Sequence, residues 1–376
     1  MRIAVVHSFY RSVLPSGENR VVLHQVKGLQ ERGHEVLLVR ADSDDLGDGR
    51  LSLTRTAWRV ARHVGPDPSK ELEWFQPDVV HVHNLFPNFG SQWLERWDGP
   101  LVATLHNYRS VCASAVLSRD GHLCTLCPDG HRWGALRYRC YRGSFAGTLP
   151  MAWRTRHGVL GDPVLRNADR LIVLCESTQS MFQRFGVPPE KMTMIPNGVP
   201  DPGPSGPVAA EPRRFAAVGR LSAEKGFQLL LRDWPPGERL DVVGDGPQAE
   251  ALKSNAPGGV RFLGLLPHGQ FLAGLPKYAA LVVPGANPEG GYPMVTAEAL
   301  AAGVPLVARR GGVVAPMVAQ WRAGAVFSSA ADLPAALDAA TAMPTEAARS
   351  VYQEHFTESG WLDQLEALYR EVRDDR

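Results

Sequence analysis

At 376 residues, 44% of them hydrophobic, the chain is longer than one ordinary core requires, and domains of roughly 100–200 residues predict two. Forty Lys plus Arg against 39 Asp plus Glu leave a formal net charge of +1, so no global field draws the protein to nucleic acid or to a membrane, and its ligand should be local and small. No apolar run reaches the roughly 18–20 residues that span a bilayer, and the N terminus enters a strand directly without a signal-peptide pattern, which predicts a cytoplasmic protein.

Short apolar, β-branched runs alternate with helical patterns. In the first half they are Ile3 to Val6, Val36 to Val39, Val79 to Val82, Leu101 to Leu105 and Leu171 to Leu174. That rhythm predicts a parallel sheet with crossover helices. A helix over Glu18 to Arg32 turns Val21, Val22 and Leu29 inward and ends at Gly33. The proline- and glycine-rich stretch from Asn197 to Pro212 blocks regular structure and marks a linker. Beyond it the alternation restarts with Phe215 to Val218, Leu240 to Val243, Val260 to Leu263, Leu281 to Val283 and Pro305 to Ala308. The tail, Ser359 to Val372, is amphipathic, with Trp361, Leu365, Leu368 and Tyr369 near one face that needs a partner surface.

In open parallel sheets, ligands sit beyond the carboxyl ends of the strands, so the loops after the strands carry the chemistry. After Phe215–Val218 comes Gly219-Arg220-Leu221-Ser222-Ala223-Glu224-Lys225-Gly226, with two cations that would neutralise a diphosphate leaving group. An arbitrary Arg and Lys are more often solvated charges; their place after a strand favours function. Val243-Gly244-Asp245-Gly246-Pro247 lets backbone approach a ligand, though alone it is a common tight turn. Phe262-Leu263-Gly264-Leu265-Leu266-Pro267 offers backbone amides to a base edge and is weak by itself. The run from Pro284 to Leu300 is a glycine-rich loop feeding a helix N-terminus, an arrangement suited to anions. Near the start of that helix Glu298 would accept from ribose hydroxyls or, more simply, favour the helix dipole.

In order, Gly-Arg-Leu-Ser-x-Glu-Lys-Gly, Val-Gly-Asp-Gly-Pro, Phe-Leu-Gly and Pro-Glu-Gly-Gly-Tyr-Pro-Met-Val-x-x-Glu-Ala-Leu resemble the retaining glycosyltransferases of the GT-B fold, family 4. Ser16-Gly17-Glu18-Asn19-Arg20, Asp78 to Asn84, Thr104-Leu105-His106-Asn107 and Ile195 to Val199 extend the resemblance over nearly the whole chain. It implies an α/β protein with two Rossmann-like domains facing each other across a cleft and a C-terminal helix crossing back to the first. The expected divisions are an acceptor domain 1–198 with a cysteine-rich insert at 107–145, a linker 199–211, a donor domain 212–350 and a crossover helix 351–376.

Carried over by position, the resemblance makes His106, Arg220 and Lys225 the catalytic residues, with His106 against the donor sugar and the two cations on its diphosphate. Donor binding would use Gly17, Gly244, Leu266, Glu289, Gly290, Gly291, Tyr292, Pro293 and Glu298 as well, and acceptor binding Glu18, Asn84 and Asn107. One departure stands out: the family spaces its two glutamates by seven residues, whereas eight lie between Glu289 and Glu298. Either an inserted glycine lets Glu289 reach the sugar, or backbone amides of Gly290 to Tyr292 replace it. The implied reaction moves a hexosyl or N-acetylhexosaminyl group from a nucleoside-diphosphate sugar, such as a UDP-sugar, to an acceptor hydroxyl with retention. The acceptor would be a saccharide, a natural product or a lipid-linked glycan. It would need no organic cofactor and no catalytic metal. The competing readings are a non-catalytic nucleotide-sugar binder and a GT-B epimerase or phosphorylase.

Four of the five cysteines, Cys112, Cys124, Cys127 and Cys140, include one Cys-x2-Cys and would suit a structural zinc; unligated thiols or a redox pair are the alternatives. Just ahead of that pair, Ser118 to His122 reads as a hairpin turn. From His131 to Arg156 there is no acidic residue, and six arginines alternate with Trp133, Tyr141, Phe145 and Trp153. Such a stretch would bind an anionic acceptor or touch a membrane at its surface, unless its arginines are simply solvated.

Overall fold

The structure, a computed structural model, describes residues 1–12, 16–47, 49–131, 133–203, 213–286 and 289–376. The chain divides into two compact units: Met1–Leu117, Cys124–Pro196 and Leu362–Arg376 form the first, Ser118–Leu123 and Asn197–Trp361 the second. Most of the expected linker, from residue 204 on, lies outside the described residues, as does residue 212, where the donor domain was expected to begin.

Unit 1 is built on β1 (Arg2–Phe9), β2 (Glu35–Asp42), β3 (Val79–Asn84), β4 (Leu101–Leu105), β7 (Arg170–Val173) and β8 (Met192–Met194). The short antiparallel pair β5 (Ser118–Arg119) and β6 (His122–Leu123) lies between β4 and β7 in the chain. Unit 2 is built on β9 (Arg214–Val218), β10 (Arg239–Val243), β11 (Val260–Gly264), β12 (Ala280–Val283), β13 (Leu306–Arg309) and β14 (Gly324–Phe327). Both large sheets are wholly parallel, in the orders β2-β1-β3-β4-β7-β8 and β11-β10-β9-β12-β13-β14. Helices on both faces bury the central strands, which is why those read as unbroken apolar runs: Ile3, Ala4, Val5 and Val6 have no exposed surface at all, while the edge strands β2 and β11 are partly exposed. The sequence reading missed β8 and β14, the outermost strand of each unit on the same side. Met-Thr-Met and Gly-Ala-Val-Phe carry little local strand signal and form because β7 and β13 offer open edges.

Five helices matter for the site and the surface: α1 (Gly17–Glu31), α2 (Arg50–Arg62), α3 (Phe145–Arg154), α4 (Met294–Ala301) and α5 (Glu358–Asp374). Ser16 caps α1 by accepting from the Asn19 N–H at 3.2 Å, and Gly33, at φ +82°, supplies the left-handed residue that ends it. The hairpin follows its turn sequence: Asp120 and Gly121 both have positive φ, as a two-residue type I′ connection requires.

The amphipathic tail is α5, and from Leu362 onward it completes unit 1. Leu362, Leu365, Leu368, Tyr369 and Val372 are buried, and the Leu362 side chain occupies the space a Cβ at Gly28 would need. Around that seam Arg32 pairs with Asp363 and Glu366, and Arg170 with Glu371. At its centre the Tyr369 hydroxyl donates to His81 Nδ1 at 2.6 Å. Gln25 Nε2 also reaches both groups, His81 Nδ1 at 2.9 Å and the Tyr369 hydroxyl at 2.8 Å, so replacing Tyr369 by Phe removes two buried hydrogen bonds while Nδ1 keeps Gln25, a cost of about 1–3 kcal/mol. We expect Tyr369→Phe to lower the thermal midpoint by several degrees, and an unchanged melting curve would show that α5 docks through its apolar residues alone.

Candidate functional site

In unit 2 the strand order reverses at β9: β10 and β11 lie to one side, β12 to β14 to the other. The four loops singled out from the sequence follow β9, β10, β11 and β12, four neighbours in that sheet. They are fastened backbone to backbone. Leu221 N–H donates to Asp245 O at 2.9 Å, Gly219 N–H to Val243 O at 3.0 Å and Gly244 N–H to Gly264 O at 2.8 Å. A Cβ on Gly244, at φ +140°, would lie 1.9 Å from Gly219 O, so only glycine permits this approach. On the other side of β9, Gly226 at φ +76° turns the loop so closely that a Cβ would stand 2.5 Å from Pro284 O.

At this reversal Lys225 and Glu289 meet, Nζ donating to the carboxylate at 2.5 Å. Arg220, on the same loop as Lys225, is exposed to solvent. Leu266 is half-buried after β11. Gly290 is buried, Gly291 to Pro293 are half-buried, and Tyr292 packs edge-on to Trp321 and Phe356. Pro293 opens α4. Glu298 is on the second turn of that helix, only 7% exposed, and its carboxylate lies 2.8 Å from His268 Nε2. His268, at the start of the helix after β11, was not singled out from the sequence: a lone histidine after Pro267 carries no local sign of what it faces. Asn287 and Pro288 lie outside the described residues.

Unit 1 reverses between β1 and β3. Their pairing shifts register after Val6, where His7 pairs with Asn84 and His83 is skipped, just where the polar residues begin. His106, immediately after β4, places Nε2 2.8 Å from His83 Nδ1, and the two rings stack. His83 stacks in turn on His81 at 4.2 Å. His81 Nδ1 accepts from Tyr369, so its Nε2 carries the hydrogen and donates it to Thr104 Oγ1 at 2.8 Å. His81 and His83 are two apart on β3 and share one face of the sheet, a signal present in Val-His-Val-His that the sequence reading did not use.

Beside them Gly17 is the first residue of α1, and Glu18 lies in its first turn. Glu18 Oε2 accepts from the Tyr10 hydroxyl at 3.4 Å, while His7 binds Asn19 at 3.0 Å. Asn84 bridges Tyr10 and Phe86, and Asn107 accepts from the Arg109 N–H at 3.0 Å; both amides hold their own loops. Arg109 lies 4.2 Å over the Phe86 ring. Several buried polar atoms here have no hydrogen-bond partner among the described residues: His7 Nδ1, Glu18 Oε1, His83 Nε2 and Arg109 Nε and Nη1. Such orphans are costly unless a ligand or water completes them. The sequence pointed to Glu18, Asn84 and Asn107, and not to Tyr10 or Arg109, which join them only through the fold.

The cysteines are arranged differently from the zinc expectation. None of the five is in a disulfide, and among the described residues no group of three or more His, Cys, Asp or Glu side chains is gathered so as to hold a metal. Cys112 is buried with its thiol 3.3 Å from the Ser114 hydroxyl. Cys127 and Cys140 pack as apolar groups beside Val60, Ala113, Ala135, Met151 and Ala152, and burial pushes the Cys127 thiol up to about 11.

Two family models match the chain: Glycosyltransferase Family 4 over residues 15–201 and Glycosyl transferases group 1 over residues 212–343. Solved structures with the same fold cover it end to end. Sucrose-phosphate synthase from Thermosynechococcus elongatus aligns with a TM-score of 0.71 at 18% identity, covering 100% of each chain. HepE of Anabaena, solved with UDP-glucose, aligns at 0.60 and 17% identity, covering 99% of this chain and 100% of that one. These likenesses establish the fold, which is of the GT-B type. The chain belongs to glycosyltransferase family 4. It is also 32% identical over 166 residues to an exopolysaccharide phosphotransferase of Streptomyces coelicolor, a match to 40% of this chain that spans 17% of that protein's length.

Burial holds the unit 1 histidines neutral, His7 down to about 4 and His81 and His106 to about 3. Each therefore binds its proton more readily in the unfolded chain, where the value is about 6.5, and stability falls as pH drops below that value toward the folded ones. Glu18, pushed up to about 7 by burial, works in the opposite sense, its contribution fading as pH rises through 7. His63 and His83 are lowered as well, and together the histidines outweigh the one carboxyl on the acid side. Urea denaturation followed by near-ultraviolet circular dichroism should lose about 3 kcal/mol or more between pH 7 and pH 5. A midpoint that does not move across this range would contradict a neutral, buried histidine cluster.

Proposed function

We propose that the protein is a retaining glycosyltransferase that moves a hexosyl or N-acetylhexosaminyl group from a nucleoside-diphosphate sugar to an acceptor hydroxyl on a saccharide, natural product or lipid-linked glycan. The observation that carries this reading is the unit 2 reversal, where Arg220 and Lys225 share one loop beside glycines that bring three backbone turns together. UDP is the favoured nucleotide, because HepE, of the same fold, was solved with UDP-glucose.

In this reading Arg220 grips the diphosphate with its fork of N–H groups and Lys225 adds a point charge, so both oppose the negative charge that grows as the sugar leaves. The two cations perform the neutralising task that a metal performs elsewhere, and the reaction asks for no organic cofactor. Without donor, Lys225 is held by Glu289; a diphosphate competing for Lys225 releases that carboxylate toward the sugar hydroxyls. Glu298, oriented by His268, accepts from the ribose. Gly244, Leu266 and the Gly290–Pro293 backbone line the nucleotide and sugar.

The unit 1 residues serve the acceptor and the reacting carbon. Gly17 and the N-terminus of α1 present N–H groups to phosphate, while Glu18, Asn84 and Asn107 border the acceptor. His106 is neutral at pH 7, and His83 engages its Nε2, which leaves Nδ1 for the donor sugar. The bond from the anomeric carbon to the phosphate oxygen breaks, the acceptor oxygen bonds to that carbon on the same face, and the acceptor proton passes to the leaving phosphate.

A thermal-shift screen over UDP-, GDP-, ADP- and dTDP-sugars should show the largest rise with a UDP-sugar. With that donor, Arg220→Ala and Lys225→Ala should each lower kcat/KM by about 100-fold or more, and NMR of the product should show the donor's anomeric configuration. Rates within about twofold of the parent protein would remove the two cations from the mechanism. An inverted product would remove retention.

A further inference from the structure

The net charge of +1 conceals one lopsided region. Residues 50–62 and 130–161 contain ten arginines and no aspartate or glutamate. In the fold the two segments meet, since Val60 of α2 packs with Ala135, Met151 and Ala152 around α3 in one small core. With those residues turned inward, the outer faces of both helices are left apolar. On α3 the exposed residues are Phe145, Leu149 and Trp153, spaced by four along a single stripe, at 55%, 45% and 43% exposure. On α2 they are Leu51, Leu53 and Trp58, at 87%, 57% and 56%; Leu51 and Trp58 share one stripe with Arg55 and Arg62, and Leu53 lies off it.

The arginines belong to the same surface. Arg156 lies 4.4 Å over Trp153, Arg62 5.8 Å over Trp58 and Arg142 5.3 Å over Tyr141. Arg154, its side chain 9% exposed, pairs with Asp162 at 3.6 Å; among the described residues Arg55, Arg62, Arg142 and Arg156 form no ion pair. Large exposed apolar stripes are rare on soluble surfaces, and ringing one with cations alone defines what covers it. A second copy of the chain would bring arginine against arginine. Nucleic acid would take the arginines and rings but gives no partner to Leu51 or Leu149. An anionic bilayer satisfies both, with apolar side chains in the acyl boundary and guanidinium groups at the headgroup phosphates.

We propose that α2 and α3 form a docking surface for anionic lipid bilayers, on which the protein binds peripherally with both helices lying in the interface. The acidic-free stretch recognised in the sequence supplies one half of it; α2, distant in sequence, supplies the other.

Co-sedimentation of the full chain with vesicles tests this, using phosphatidylcholine alone and phosphatidylcholine mixed equally with phosphatidylglycerol. Binding should require the anionic lipid and weaken as salt is raised. Phe145→Ser with Trp153→Ser should weaken it by about tenfold or more, and Arg55→Gln with Arg62→Gln by about fivefold per charge removed. These side chains point to solvent, so melting curves should match the parent; should the serine pair fail to fold, the glutamine pair decides. No binding to anionic vesicles at low salt, or undiminished binding by the folded variants, would overturn the proposal. So would equal binding to both vesicle types, or a preference for RNA or self-association over vesicles.

Discussion

A parallel sheet whose strand order reverses leaves a gap, because the two loops at the reversal depart in opposite directions and neither helix that follows can cover the space between. Both units are built around such a gap, β1 against β3 in one and β9 against β12 in the other. The residues assigned a chemical role above lie at or near the carboxyl ends of the strands at these gaps and of their neighbours in the sheets. The rest of each unit serves to hold those edges open and stiff. Strands with no exposed surface fix where the loops leave, and glycines at 226 and 244 let backbones approach to distances that any Cβ would forbid.

The two edges differ in electrostatic character. Unit 2 presents cations, Arg220 in solvent and Lys225 held by Glu289, so an arriving diphosphate replaces an existing carboxylate contact instead of meeting an unsolvated charge. Unit 1 presents neutral histidines beside one cation, Arg109. The histidines are stripped of charge by burial and by each other, and burial pushes the Glu18 carboxyl up to about 7. A chain of contacts from Tyr369 through His81 and His83 to His106 ties the C-terminal helix to the candidate reacting centre. The position of His106 thus depends on a residue at the opposite end of the chain.

Much of this was legible from local sequence. The strand runs, the α1 boundaries, the hairpin turn and the amphipathic tail all follow from period, capping and turn chemistry, and ten of the strands formed where apolar runs occur. The motif loops were legible because their glycines and cations follow strands, where an open parallel sheet binds its ligands. Less legible were β8 and β14, which owe their existence to a neighbour's open edge, and the surroundings of the cysteines, of which Cys127 and Cys140 pack beside Val60 and Met151.

The sequence by itself determined the family, the two parallel sheets and which loops carry charge, because those depend on residues close together along the chain. Only the tertiary structure decided which partners those residues meet. Glu289 turns to Lys225, His268 orients Glu298, Tyr10 and Arg109 join Glu18, and α2 joins α3 in one arginine-ringed apolar surface. Each of these is a contact between elements far apart in sequence, fixed by the order of strands in a sheet, and no local pattern encodes that order.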